Sequence, residues 1–219
     1  MRLLPIVLSA HPSAWNADAG GLRRERSVSP DSSCQFCGFQ APGWQESFHL
    51  NGDHDDTPGN LVVACVLCKL TQQLGRPTID AEATLIWLPE MSQAALNAVA
   101  RHIHHGLRAQ GEPPHMERRP QSDTPELRAL YSAFTALRER GAAAQSRVGT
   151  TSPRALGAAL LGLDPAAYER RASLLGGTRL LPRGRFYRDG QDVYPQLLEA
   201  FNATRELSPI LPAPHSARI

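Results

Sequence analysis

Two CxxC pairs, Cys34/Cys37 and Cys65/Cys68, account for every cysteine in the chain. Two short knuckles that each present two thiolates can close a tetrahedral shell around one zinc ion. The arrangement C-x2-C-x27-C-x2-C is longer than a minimal zinc ribbon and leaves room for a β-hairpin between the knuckles. The competing readings are a redox pair or two disulfides. A single CxxC suits thioredoxin-like exchange, but two of them without a fifth cysteine favour a metal. Disulfide scaffolds come with shorter, more cysteine-dense secreted chains. A shell of four thiolates leaves no open coordination position, so the zinc expected at Cys34, Cys37, Cys65 and Cys68 is structural. Binding of this kind contributes roughly 10–16 kcal/mol in small zinc peptides. Removing one thiolate is therefore expected to unfold the region around it.

The chain has 219 residues, of which 42% are hydrophobic and 20% charged, a balance that reads as soluble and globular. No apolar run approaches the eighteen or so residues needed to cross a bilayer. Met1–Ala10 has some of the character of a signal sequence, but the run is short and contains Pro5. It reads as a buried strand, which puts the protein in a reducing, cytoplasmic compartment. The formal net charge of +2 is too small to call for nucleic acid. Lysine occurs once, at Lys69, among many arginines. A biased genome composition accounts for that more simply than phosphate recognition does.

Five stretches follow from the pattern of the chain. Residues 1–33 read as a strand (Leu3–Leu8) and a loop, with Trp15 and the basic Arg23, Arg24 and Arg26, packing on a core. Residues 34–110 hold the cysteine domain, with strands near 46–50 and 61–64, a turn marked by Asn51-Gly52-Asp53 and Pro58-Gly59-Asn60, and a short helix from the second knuckle to Gly75. A strand at Leu85–Leu88 and a helix capped by Ser92 follow, the helix carrying Leu96, Val99, Ile103 and Leu107 on one stripe. Residues 111–123, with three prolines, read as a linker. Residues 124–207 read as a helical region that opens with Thr124 as cap and Pro125 in the first turn. Further helices are expected near 153–162, 165–175 and 191–204. Residues 208–219 read as a disordered tail.

The segment between the knuckles resembles the HNH, or ββα-metal, nuclease superfamily. The resemblance rests on the first knuckle, His49 on a strand, the Asp/Gly turn, Asn60-Leu61-Val62-Val63, and a second knuckle that opens a helix. It implies that His49 stands where a general base activates water and Asn60 where that histidine is oriented. The chemistry also needs a divalent cation held by two protein ligands, one just before the base and one just after the second knuckle. Phe48 and Lys69 occupy those places. Phenylalanine has no donor atom and a protonated lysine repels a dication. Without the cation nothing neutralises charge developing on phosphate. Asp53, His54, Asp55 and Asp56 offer donors, but turn chemistry alone explains those residue types. His102, His104 and His105 read as solvent-facing histidines rather than a second metal site.

A narrower likeness comes from Pro12-Ser13-Ala14-Trp15, Cys34-Gln35-Phe36-Cys37-Gly38-Phe39-Gln40-Ala41, Asn60–Cys65 and Leu85–Asn97. Together these resemble the IcmJ (DotN) family of type IVB secretion systems, most clearly over residues 1–110. The resemblance implies a cytoplasmic component of a coupling complex at the inner-membrane face, binding the coupling ATPase beside adaptor proteins that deliver substrates. It also implies an HNH-like finger that has kept its zinc site and lost its nuclease chemistry. Contact surfaces are then expected at Leu85–Met91, unless that segment is core, and at Phe186, Tyr187 and Tyr194.

The sequence therefore predicts an α+β protein with a zinc-clamped ββα core and a mostly helical C-terminal region. Its expected role is a non-catalytic secretion-complex subunit with one Zn2+. The alternatives are a metal-dependent HNH endonuclease using His49 and Asn60, and a zinc-binding regulator that holds nucleic acid without cutting it.

Overall fold

The computed structural model describes residues 3–10, 32–41, 43–50, 57, 59–120 and 124–207. Pro12–Trp15, Arg23, Arg24, Arg26, the acidic turn at 51–56 and the tail at 208–219 lie outside the described residues. The expected α+β architecture is present: small antiparallel sheets, helices, and a helix-rich second half.

The cysteine unit is a ββα element. Strand β1 (Gln45–His49) pairs antiparallel with β2 (Leu61–Cys65), with Gln45 opposite Cys65 and His49 opposite Leu61. The hairpin forms because β2 is rich in β-branched residues, with Val62 and Ala64 buried on one side. Helix α1 (Val66–Leu70) follows without a break, since Cys65 is extended and serves as its N-cap residue. The Leu3–Leu8 stretch, expected as a strand, runs beside this unit without forming a ladder. Its amides bond at isolated points, Leu4 to the Gln35 carbonyl and Ser9 to that of Thr71, and Ala10 makes one β-bridge with Gln73.

Helix α2 (Ile79–Glu82) leads into β3 (Ala83–Trp87), then α3 (Gln93–Ala109). Ser92 caps α3 as expected, its hydroxyl accepting from the Ala95 amide. Residues 111–120 contain neither helix nor strand, and Met116 is buried there. Thr124 caps α4 (Pro125–Glu139), and α5 (Gly141–Val148), α6 (Pro153–Leu161), α7 (Pro165–Glu169) and α8 (Arg171–Leu175) follow. Strand β4 (Thr178–Pro182) then returns to pair antiparallel with β3, placing Leu180 opposite Leu85. A tight hairpin of β5 (Tyr187–Arg188) and β6 (Gln191–Asp192) precedes α9 (Tyr194–Leu207).

The β3–β4 ribbon separates two cores. Leu85 and Leu180 face a large cluster that contains the cysteines, α1, Leu156 and Leu160 of α6, and Leu197 and Leu198 of α9. Ile86 and Leu181, one residue on, face a second cluster with Leu96, Ile103, Leu107, Leu127 and Phe134. Alternation along a strand produces this two-sided burial.

Candidate metal centre

The first knuckle is folded by its own backbone. The Gly38 amide donates to the Cys34 carbonyl at 2.8 Å and the Cys34 amide to the Phe39 carbonyl at 2.8 Å. Gly38 sits at φ +72°, a left-handed conformation that glycine adopts without steric cost. Gln35 fastens this loop to the outer edge of β2, donating its amide to the Val63 carbonyl and accepting the Val63 amide on Oε1, both at 2.9 Å. The second knuckle is the β2–α1 junction, with Cys65 at the strand end and Cys68 in the helix.

These two turns bring the four sulfurs of Cys34, Cys37, Cys65 and Cys68 within 4.8 Å of one another. Cys37 and Cys65 are 3.7 Å apart, and all four thiols are free. A disulfide needs about 2.05 Å. A tetrahedron with metal–sulfur bonds near 2.3 Å has edges of about 3.8 Å, so the spacing fits a shared ion. Cys34, Cys65 and Cys68 are buried and Cys37 half-buried. The cluster can hold a metal ion. The thiols share their protons unequally. Hydrogen bonds from the other three sulfurs hold Cys34 far below the ordinary thiol range, whereas the bond to Cys34, with burial, pushes Cys65 and Cys68 well above it.

A polar stripe on α3 supports the cluster. Gln93, Asn97, Arg101 and His104 are all buried and follow one another at helical spacing. Asn97 donates Nδ2–H to Cys68 Sγ at 3.4 Å, and its Oδ1 accepts from Gln93 Nε2 at 2.9 Å. Gln93 also bonds both backbone groups of Leu180, covering the outer edge of β4. The Arg101 guanidinium lies 4.0 Å above the Phe39 ring of the first knuckle and 5.2 Å from that of Phe201. His104 Nδ1 is 2.7 Å from the Tyr194 hydroxyl. Burial holds His104 down at about 3 and lifts the Tyr194 hydroxyl well above the usual tyrosine range.

Sequence reasoning missed this stripe and placed His104 in solvent. The structure corrects that: His104 is completely buried, while His102 is exposed and His105 half-buried. The signal was available, since positions 93, 97, 101 and 104 lie along one line beside the apolar stripe of Leu96, Ala100, Ile103 and Leu107.

The nuclease-like positions take other roles. Phe48 stacks on Phe36 of the first knuckle, with ring centroids 6.1 Å apart and planes 19° from parallel. Lys69 Nζ lies 2.6 Å from Glu46 Oε2, and Arg188 Nη2 of β5 lies 2.5 Å from Glu46 Oε1. Burial alone would raise the Glu46 pKa, but the charges of Lys69 and Arg188 outweigh it and the net shift is downward. Among the described residues, the Glu46 carboxylate beside Lys69 is thus already paired on both oxygens. Asn60 is buried and its amide bonds the Thr57 carbonyl, so it closes the hairpin end; His49 sits at the end of β1 opposite Leu61.

The two expected contact surfaces are largely core. Leu85, Ile86 and Leu88 are buried, and Trp87 is half-covered by Arg147, whose guanidinium carbon lies 4.2 Å from the ring. Phe186 and Tyr194 are buried as well, leaving Tyr187 half-buried.

No protein-family model matches the chain. The curated protein described as "Type 4 apparatus protein DotN", from Legionella pneumophila, is 27% identical in a 191-residue alignment that covers 81% of this chain and 83% of the relative. Over most of its length the chain is thus similar to a type 4 secretion apparatus protein, DotN.

Proposed function

We propose that the chain is a zinc-binding, non-catalytic subunit of a type IV secretion apparatus that works in the coupling complex, binding the coupling ATPase and helping to recruit substrates beside adaptor proteins. The observation that carries this reading is the likeness to an apparatus protein over four-fifths of both chains. The all-sulfur cluster supports zinc in particular, because soft thiolates in tetrahedral array suit that ion. Four thiolates close the shell, so the ion's contribution is to hold the knuckles together. No helix among the described residues is long and apolar enough to cross a membrane, so attachment to the inner-membrane face is assigned to partners.

Tagged protein purified from its native host after mild crosslinking tests this. Recovery of a secretion-system ATPase is the expected result; a preparation that reproducibly lacks every apparatus component overturns the proposal.

The nuclease alternative rests on His49 and Asn60. Against it stand Phe48, which stacks on Phe36 and has no donor atom, and Lys69, whose ammonium pairs with Glu46 and would repel a dication. Incubation with supercoiled plasmid and magnesium, manganese or nickel is expected to leave the plasmid intact. Cleavage that His49→Ala abolishes would establish the alternative.

A further inference from the structure

Residues 111–119 and the β4–β5 turn border a cleft of about 850 Å3. Four arginines line it, Arg118 and Arg119 from one wall and Arg183 and Arg185 from the other. For a chain whose net charge is only +2, that is a marked concentration of one sign.

The second wall is fixed by close backbone contact. Gly184 lies at φ +78°, and a Cβ there would meet the Pro114 carbonyl carbon at 2.5 Å and the His115 nitrogen at 2.8 Å. Glycine therefore lets the Arg183-Gly184-Arg185 turn lie directly on the Pro114–His115 backbone. Both flanking guanidinia are also held: Arg183 donates to the Asp80 carbonyl and Arg185 to the Tyr187 hydroxyl. Arginines held in this way lose little side-chain freedom when they take an anion, and their planar forks suit oxyanions.

Four guanidinia on the lining outnumber its two carboxylates, Glu112 and Glu117. Glu117 is held below the carboxylate range by its 2.6 Å bond to Arg183 and by the charges of Arg183, Arg138 and Arg185. The His115 pKa is lowered by burial first and then by Arg185.

We propose that this cleft binds an acidic peptide segment of a partner protein, its Asp and Glu carboxylates taken by Arg118, Arg119, Arg183 and Arg185. Several residues of extended chain suit the volume better than a single small anion does. Glu112 and Glu117 on the same lining count against a nucleic-acid backbone, whose closely spaced phosphates would be repelled there. They also make the site tunable, since Glu117 already occupies one guanidinium. This inference does not depend on a secretion role: the cleft can be tested whatever assembly the chain joins.

Fluorescence anisotropy of the purified full chain with a fluorescein-labelled ten-residue peptide of alternating Glu and Gly is the test. Micromolar binding that weakens as salt rises is expected. The Arg118→Glu/Arg119→Glu double variant, at exposed positions, is expected to lose at least tenfold, with Arg118→Gln/Arg119→Gln as the milder version should the first fail to fold. Glu112→Gln removes a repelling charge and is expected to tighten binding severalfold, which a purely structural residue would not do. Absence of peptide binding, affinity unchanged in the arginine variants, or equal affinity for a Gln/Gly peptide or single-stranded oligo-dT overturns the proposal.

Discussion

Asn97 carries the residue-scale argument, because it links a helix to a sulfur that no sequence motif would connect with it. Its Nδ2–H points charge at Cys68 Sγ, and hydrogen bonds of this kind orient ligands and tune metal affinity. Asn97→Leu keeps the branched shape and removes the donor. Metal affinity, followed by competition with a chromophoric chelator, is expected to fall about 10–100-fold with the fold retained; wild-type affinity in that variant would separate Asn97 from the metal site. The cysteines themselves were legible from spacing alone, since two CxxC pairs leave few geometries. The stripe of Gln93, Asn97, Arg101 and His104 was not, because a polar residue on a helix reads as solvent-facing until its neighbours are known. The Leu85–Met91 segment failed for the opposite reason: apolar residues read equally as core or contact, and only β4 pairing with β3 decides for core.

At the scale of elements, β1, β2 and α1 were readable because turn residues separate them and the second knuckle joins strand to helix. Strand β4 was not. Thr178–Pro182 follows two glycines and ends in proline, so locally it reads as loop, and its partner β3 lies far away in sequence. Gln93 compensates at its outer edge by bonding the amide and carbonyl of Leu180. Gln93→Ala leaves two buried backbone groups without partners. Each such group costs about 1–3 kcal/mol, so a clear drop in urea midpoint is expected, accompanied by loss of protection at the Leu180 amide in hydrogen exchange. An unchanged midpoint would mean that β4 does not depend on this contact. The short helices α7 and α8 were expected as one span at 165–175; Arg170, outside helical geometry, divides them.

For the whole molecule, the buried His104–Tyr194 pair ties α3 to α9 between the two cores. Its consequence is a pH dependence whose sign follows from linkage. Folded His104 titrates near 3, whereas an unfolded histidine titrates near 6.5. Between those values the unfolded chain binds a proton that the folded chain does not, so stability falls as pH drops below about 6.5 and is fully present above it. The slope from this one group approaches about 1.4 kcal/mol per pH unit. Glu46, with its lowered pKa, adds a further loss below its ordinary value of 4.5. Urea unfolding at pH 7, 6 and 5 is expected to show the decline, and His104→Gln to flatten it over that range. A wild-type curve already flat there would contradict the burial of a neutral histidine.

Cys34, Cys37, Cys65 and Cys68 form one closed sulfur site, beside nuclease-like ligand places taken by Phe48 and Lys69. Elemental analysis of protein purified without added metal, repeated after dialysis against manganese, tests it most directly. One zinc per chain, lost together with the folded state in Cys65→Ser, and no retained manganese is the predicted result. A chain free of zinc yet fully folded, or one that keeps manganese stoichiometrically unless His49 is replaced, would contradict it.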